Sequence, residues 1–285
     1  MSIGRHDKKI FALLFATSCA LGALVLPAAI DGAGHDAFAQ DGGKKDNLSA
    51  KEIVDRMVDK NNAMGVESGQ ADIRLTIKGR GADDARVREL RIRAKKIDDR
   101  SHTILKLTAP KEVAGQAFLF VESAKEGGEN DIWTYTPAFN HTQRMKGSER
   151  NKEFLGTHFT FADLENRDFK DAKLERLPDE QRGGSDVYVI SATPTAKSST
   201  YGKMVAYIRK SDSIPMTIKF YQKDGETLAK TIFSEKLDKD SKGNTYVKQM
   251  TVRAETGGYT TMLITSIDTA IELPDAIFSS ERLGD

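Results

Sequence analysis

Cysteine is almost absent from this sequence of 285 residues. The single cysteine, Cys19, lies in an apolar run near the amino terminus. If that run is removed on export, the rest of the chain can form no disulfide bond and offers no thiolate. An exported chain without disulfides must be stabilised by its own core. Residues 40–285 are long enough for this, because a domain of that size buries roughly 70% of its unfolded surface.

Several catalytic motifs are missing as well. The sequence contains no G-x-S-x-G elbow, no P-loop and no G-x-G-x-x-G fingerprint. Acidic residues are frequent, but clusters such as Asp83-Asp84 and Asp98-Asp99 lie in charged turn sequence, which is typical of solvated surface. We therefore expect that the protein is not an enzyme. A spatial pair of carboxylates, as in glycosidases, stays open at this stage.

The sequence also offers little to metals or nucleic acids. Beyond residue 40 the histidines are His102, His141 and His158; none lies at ligand spacing to another, and no H-E-x-x-H motif is present. The 43 basic and 42 acidic residues give a formal net charge of +1, so no strong field attracts nucleic acid. We predict no metal, no cofactor and no nucleic-acid partner.

Residues 1–39 have the composition of a secretory signal peptide. A basic n-region with Arg5 and Lys8 precedes an apolar run over residues 10–30, and an A-x-A cleavage site ends at Ala39. This pattern predicts cleavage after Ala39 and a periplasmic location. The polar residues 40–48 would then form a flexible linker, and residues 49–285 a single domain.

Two alternatives to cleavage remain open. The apolar run is about as long as a membrane span of roughly 20 residues, so it could be retained as an anchor. Pro27 and the A-x-A step favour cleavage over an anchor. Lipidation of Cys19 is the second alternative, but Ala16-Thr17-Ser18-Cys19 is a poor lipoprotein box and the apolar run continues past it.

The hydrophobic pattern predicts one amphipathic helix followed by many strands. Ser49 and Glu52 form a capping box, and apolar residues follow at helical spacing as far as Val58. From Gly69 onward the pattern alternates with period two, which indicates half-buried strands. The inward apolar positions of the first strands are Ala71, Ile73, Leu75, Ile77, Leu90, Ile92, Leu105 and Leu107, and residues 117–121 are apolar on both faces.

Hairpin turns connect the later strands. Further strands are predicted over residues 186–192, 203–209, 216–222, 228–235, 245–254 and 259–268. Gly183-Gly184, Asp224-Gly225 and Gly257-Gly258 separate such runs, and these pairs favour tight turns because the primed turn types need positive φ. Short connections without a βαβ rhythm predict an antiparallel sheet of about eleven strands.

The densest apolar block extends from Trp133 to Leu164. It contains WTYTPAF at residues 133–139, RM at 144–145 and FLGTHFTFADL at 154–164. Aromatic side chains in a polar loop are either buried against the fold or kept free to cover something else.

This block resembles the signature region of the outer-membrane lipoprotein-sorting protein family, whose members are LolA-like. The family pattern is an aromatic strand ending in Tyr-x-Pro-Ala, an Arg-rich strand, and a Phe-Leu/Met-Gly-x-x-Phe-x-Tyr/Phe-x-Asp-Leu segment. The resemblance extends from about Ser49 to Leu283. It implies an α+β fold, in which a strongly curved, incomplete antiparallel β-barrel covers an N-terminal helix and lid segments.

In LolA-like proteins the apolar space between the barrel and its lid holds acyl chains. The resemblance therefore implies an apolar cavity, and the alternative is a core filled by side chains. The candidate cavity and lid residues are Ile73, Leu75, Leu90, Leu105, Phe118, Phe120, Trp133, Tyr135, Phe139, Phe154, Leu155, Phe159, Phe161 and Leu164. Candidate headgroup contacts are Arg144, Arg150 and His158, for which solubilising loop positions are the alternative.

The function that the resemblance implies is a periplasmic carrier of lipid or lipoprotein in outer-membrane biogenesis. Its partners would be acyl chains, an inner-membrane exporter, often of the resistance-nodulation-division type, and a membrane in transient contact. The alternative is a LolA-like regulator of envelope stress, which binds an anti-sigma factor and senses lipid-anchored proteins. A neighbouring gene for an exporter would favour the carrier, and one for a sigma or anti-sigma factor the regulator.

Overall fold

The computed structural model describes residues 46–61, 67–125, 128–165, 169, 172–196 and 199–285. The predicted signal peptide and most of the predicted linker lie outside the described residues. The first element is helix α1, Ala50–Asn61. Its capping box is confirmed, because the Ser49 amide donates to Glu52 Oε2 at 2.8 Å and the Glu52 amide donates to Ser49 Oγ at 3.2 Å.

In the described part of the chain, thirteen antiparallel strands form one sheet. They are β1 (Ser68–Gly79), β2 (Arg86–Ile97), β3 (Arg100–Ala109), β4 (Ala117–Val121), β5 (Asp131–Thr136), β6 (His141–Arg144), β7 (Ala172–Arg182), β8 (Ser185–Pro194), β9 (Lys203–Arg209), β10 (Pro215–Tyr221), β11 (Leu228–Lys239), β12 (Thr245–Ala254) and β13 (Gly258–Asp268). Their order across the sheet is β6-β5-β4-β3-β2-β1-β13-β12-β11-β10-β9-β8-β7.

The two halves of the sheet meet where the first strand pairs with the last. Strands β1 to β6 form one meander and β7 to β13 a second, and β1 pairs with β13 from Gln70↔Asp268 to Gly79↔Gly258. Strands β6 and β7 lie at the two edges, so the sheet is open. The predicted incomplete antiparallel barrel is confirmed, with thirteen strands instead of about eleven.

The alternation pattern misses strand β7. Most of its residues are charged and little of it is buried, because it lies at an edge of the sheet. Pro178 lies in this strand, and the pairing with β8 shifts register between Leu177 and Glu180. Charge, proline and a bulge are the features that keep an edge strand from pairing with another chain.

Two glycine pairs form hairpin turns at the predicted places. Gly183 and Gly184 join β7 to β8 with φ of +55° and +76°, and Gly257 and Gly258 lie where β12 turns into β13, with φ of +101° and +90°. Side chains rarely adopt these angles. At Gly258 space is also lacking, since a Cβ there would lie 2.7 Å from Nε2 of His158.

The main core lies between the inner face of the sheet, helix α1, residues 154–165 and Phe169. In α1 the apolar side chains of Ile53, Val54 and Met57 are buried in this core. An amphipathic helix of twelve residues needs such a partner surface to be stable.

A second apolar cluster covers the opposite face of β3, β4 and β5. Leu119 and Val121 belong to it, while their neighbours Phe118 and Phe120 face the main core. The end of the chain packs on this cluster through Leu273, Phe278 and Leu283. Two short 3₁₀ turns, Asp275–Ile277 and Ser280–Arg282, lie in this part of the chain, where the sequence LPDAIF at residues 273–278 suggests a short helix.

Candidate functional site

We call residues 146–165 the lid. This segment follows β6, and it ends with the short helix α2, Phe161–Glu165. Its main-chain hydrogen bonds are internal: the Phe154 amide donates to the Phe159 carbonyl at 2.7 Å, and the Ala162 amide donates to the Arg150 carbonyl at 2.9 Å. Each polar contact between the lid and the sheet described below involves a side chain. The lid is therefore a compact segment that packs on the sheet and adds no strand to it.

The tip of the lid carries backbone strain. Leu155 has φ of +54° and Gly156 has φ of +66°. The left-handed conformation costs a residue such as leucine about 1–2 kcal/mol, and it persists where the surrounding structure imposes it. The flanking Phe154 and Phe159 are deeply buried, so the lid is fixed on both sides of this turn.

Three phenylalanines join the lid to the inner face of the sheet. The rings of Phe154 and Phe161 meet edge to face at 5.3 Å. Phe118 of β4 lies 5.3 Å from Phe154 and 5.5 Å from Phe161, measured between ring centroids. Such pairs add about 0.5–1.5 kcal/mol to the burial of their surface. This cluster is one part of the apolar contact between lid and sheet, to which Phe159 and Leu164 also contribute.

The structure brings together eleven of the fourteen candidate cavity residues in the main core. Leu155 is partly buried and packs against this core. The buried members are Ile73, Leu75, Leu90, Leu105, Phe118, Phe120, Phe154, Phe159, Phe161 and Leu164. Whether they line an acyl-chain cavity stays a prediction.

Three other candidates lie elsewhere. Trp133 pairs with Leu119 across β4 and β5, and with Tyr135 it packs on the second apolar cluster. Because side chains alternate along a strand, Ile132 takes the inward position that Trp133 does not. Phe139 is 80% exposed to solvent.

Asp163 fixes α2 to the sheet. Its carboxylate forms an ion pair with Lys230 of β11 and accepts a hydrogen bond from the Tyr201 hydroxyl at 2.9 Å. The Lys230 ammonium also donates to the His158 carbonyl at 3.2 Å. Sequence reasoning missed Lys230 and Tyr201. For Lys230 a signal existed, because it lies two positions before the inward-facing Ile232.

A second buried ion pair joins the two ends of the lid to each other. Arg150, a candidate headgroup contact, pairs with Glu165 and donates to the Asn130 carbonyl. Only 8% of the arginine side chain and 2% of the glutamate side chain are exposed. Arg144, the second candidate, is exposed and pairs with Asp131.

His158, the third headgroup candidate, sits against β13. Its amide donates to Thr260 Oγ1 at 3.1 Å, and its Nδ1 lies 2.8 Å from the same oxygen. Burial is the main cause that lowers the pKa of His158, while the charge of Glu153 opposes it. The neutral imidazole is therefore favoured in this position.

The described residues offer no metal centre, since no group of three His, Cys, Asp or Glu side chains among them is placed to hold an ion. No helix in the described ranges combines the length and apolarity that a membrane span needs.

Solved structures share this fold. A domain from Vibrio parahaemolyticus, described as that of an outer membrane lipoprotein-sorting protein, is 23% identical with a TM-score of 0.74, covering 83% of this chain and 100% of the domain. A DUF1329 family protein from Desulfovibrio piger is 22% identical with a TM-score of 0.74, covering 82% and 98%. A LolA superfamily protein from Nitrosomonas europaea is 20% identical with a TM-score of 0.63, covering 81% and 98%.

These likenesses confirm the predicted LolA-like fold. No curated protein matches the chain. A family model described as an uncharacterized protein matches residues 99–285, which is more than half of the chain. The chain therefore belongs to this family of uncharacterized proteins, and its fold is that of LolA-like lipoprotein-sorting proteins.

Proposed function

We propose that the protein is a periplasmic carrier, which holds the acyl chains of a lipid or lipoprotein between the inner face of its sheet and the lid. The observation that carries this proposal is the construction of the lid. Its main-chain hydrogen bonds are internal, and its contacts with the sheet are made by side chains, among them the Phe118–Phe154–Phe161 cluster. The lid can therefore separate from the sheet without breaking any of the strand pairing.

The energetics support a carrier of this design. An acyl chain of about 16 carbons costs about 12 kcal/mol in water, at about 0.8 kcal/mol per methylene. When chains enter beneath the lid, Phe154 and Phe161 exchange contact with Phe118 for contact with methylene groups. One apolar contact replaces another, so most of that cost is relieved. Opening that also lifts α2 would have to break the buried Asp163–Lys230 pair.

Export and loading complete the proposal. Cleavage after Ala39 would release residues 40–285 to the periplasm, with residues 49–285 acting as one domain. An inner-membrane exporter, of the resistance-nodulation-division type, would supply cargo, and transient membrane contact would allow its transfer. The protein would act by binding and release, without catalysis.

Native mass spectrometry of the protein purified from its own periplasm tests the carrier proposal. We expect an added mass of one lipid or lipopeptide per chain, and saturable calorimetric binding of a long-chain lipid to the delipidated protein. Replacing both Phe154 and Phe161 by serine should weaken that binding about tenfold or more, because the chains lose their cover.

Phe139→Ser is the matched control, since this ring is exposed and outside the lid. It should leave lipid affinity unchanged. Absence of both a co-purified lipid and calorimetric binding would overturn the carrier proposal.

A further inference from the structure

The outward-facing arginines of β1 and β2 all have partners. Arg74 Nη2 lies 2.8 Å from Glu89, and Arg91 Nε lies 2.7 Å from Asp72. Arg93 donates to the Gln70 side chain at 2.9 Å. On the outer face these cross-strand contacts neutralise Arg74 and Arg91, and they give Arg93 a hydrogen-bond acceptor.

Two arginines of β2 face the other way. Arg88 pairs with Leu75 and Arg86 pairs with Ile77 across β1 and β2. Both partners are 1% exposed and belong to the main core. Because directly opposed residues of an antiparallel pair share a face, both arginines arise from the inner face, next to Leu90.

Neither inward arginine is neutralised. Within the described residues, Arg88 makes no hydrogen bond and no ion pair, and Arg86 makes one long hydrogen bond of 3.4 Å to the Gly156 carbonyl in the lid. Arg88 is partly buried. Burial is the main cause that lowers its pKa, and the charge of Arg86 adds to the effect.

The groups around this end of the barrel do not supply a counter-charge. Asp163 of the lid is committed to Lys230 and Tyr201. His158 is held by Thr260, and the charges of both Arg86 and Lys230 contribute to lowering its pKa. The charge of Glu153 acts on His158, but among the described residues Glu153 forms no ion pair with Arg86 or Arg88. Cations at the inner face therefore outnumber the acids free to pair with them.

Two adjacent guanidinium groups, of which Arg88 is partly buried and Arg86 is exposed, call for an anion with several oxygens. Each guanidinium presents a planar fork of donors that matches a phosphate in bidentate fashion. The long bond to Gly156 leaves most donors of Arg86 open to such a ligand. The apolar stems of Leu75 and Leu90 lie beside this position, so an anion here would be joined to an apolar surface.

We propose that Arg86 and Arg88 bind the phosphate of an anionic lipid whose acyl chains lie on the inner face beside Leu75 and Leu90. This inference rests on the proposed carrier function and names its ligand class. A free phosphate ion has the same recognition chemistry, so the experiment must separate the two sources.

Calorimetry on the delipidated protein uses three probes: dioctanoyl-phosphatidylglycerol, the uncharged dioctanoylglycerol with the same chains, and inorganic phosphate. We expect the phospholipid to bind about tenfold or more tightly than the uncharged lipid, since charge-assisted hydrogen bonds to the phosphate add to chain burial. Arg88→Gln and Arg86→Gln should each remove most of that advantage and leave the affinity for dioctanoylglycerol unchanged. Arg88→Lys should keep part of it.

Arg91→Gln is the matched control, because it removes a guanidinium of the same strand on the outer face. This variant should bind both the phospholipid and the uncharged lipid with wild-type affinity. A cooperative thermal unfolding transition should show that each variant is folded. If the wild type binds the phospholipid no more tightly than the uncharged lipid, and Arg88→Gln binds both with the same affinities, the headgroup site is overturned and the carrier proposal stands. Binding of neither lipid would overturn both, whereas Arg88-dependent binding of inorganic phosphate alone would replace the lipid by a free anion.

Discussion

Asp163 in the lid and Lys230 on β11 form an ion pair whose side chains are 3% and 7% exposed. The pair joins two segments that are 67 residues apart in the sequence. Charges buried to this degree are tolerated only when they are paired and hydrogen-bonded, and here Tyr201 and the His158 carbonyl supply additional hydrogen bonds.

Lys230→Met should therefore destabilise the protein by about 3–5 kcal/mol, because it leaves Asp163 buried without a counter-charge. Urea denaturation followed by far-ultraviolet circular dichroism measures the loss. Adding Asp163→Asn should recover part of it, since the double variant buries no uncompensated charge.

The control for this prediction is an exposed pair. Lys248 and Asp238 form an ion pair with side chains 41% and 43% exposed. Lys248→Met should leave the denaturant midpoint almost unchanged, because an exposed ion pair contributes little to stability. A loss at position 230 as small as at position 248 would show that the lid is not fixed by the buried pair.

The two faces of the sheet should differ strongly in their response to truncation. Leu75 is almost fully buried on the inner face, so Leu75→Ala should cost about 2–5 kcal/mol in a packed core. Val87 on β2 is 46% exposed, and Val87→Ala should cost about 0.5 kcal/mol or less. Denaturant midpoints measure both values. A much smaller loss at Leu75, together with reduced lipid affinity, would mark that position as cavity lining instead of packed core.

Strands with one buried face could be predicted from the sequence, because apolar and polar residues alternate along them with a period of two. Strands β9 and β12 have the predicted bounds, 203–209 and 245–254. Strand β7 buries little on either face, so its sequence carries no such signal. Its presence is decided by pairing with β8.

The candidate site could be predicted only in part, because some of its contacts leave no local pattern in the sequence. Phe154, Phe159 and Phe161 were found because the lid is locally dense in aromatic residues. The ion pairs carry no local signal. Arg150 meets Glu165 only when the lid folds back on itself, and Asp163 meets Lys230 only when distant segments come together in the fold. The inward direction of Arg86 and Arg88 follows from their strand register, which no local charge pattern reveals.

Stability should depend on pH through His158. Its pKa is lowered in the folded state, chiefly by burial, relative to about 6.5 in the unfolded chain. The unfolded state therefore binds the proton more readily, so this contribution is present above about pH 6.5 and is lost as pH falls through the folded pKa. Urea titrations at a series of pH values should show a shallower slope for His158→Asn than for the wild type.

A second histidine serves as a reference for that slope. Burial also lowers the pKa of His102, so part of the pH dependence should remain in His158→Asn and disappear in the variant lacking both. Identical slopes for His158→Asn and the wild type would contradict the prediction.

Trp133 should report the docking of the chain's end and not the arrival of cargo. Its side chain packs on the second apolar cluster with Leu283, on the face of the sheet opposite the lid. Leu283→Ala should therefore shift its fluorescence emission to longer wavelength, because water gains access to the indole. Phe154→Ser in the lid should leave the emission unchanged, and so should saturation with dioctanoyl-phosphatidylglycerol. An emission change that follows lipid binding, in a variant with the end of the chain still docked, would place the ligand on the outer face of β4 and β5.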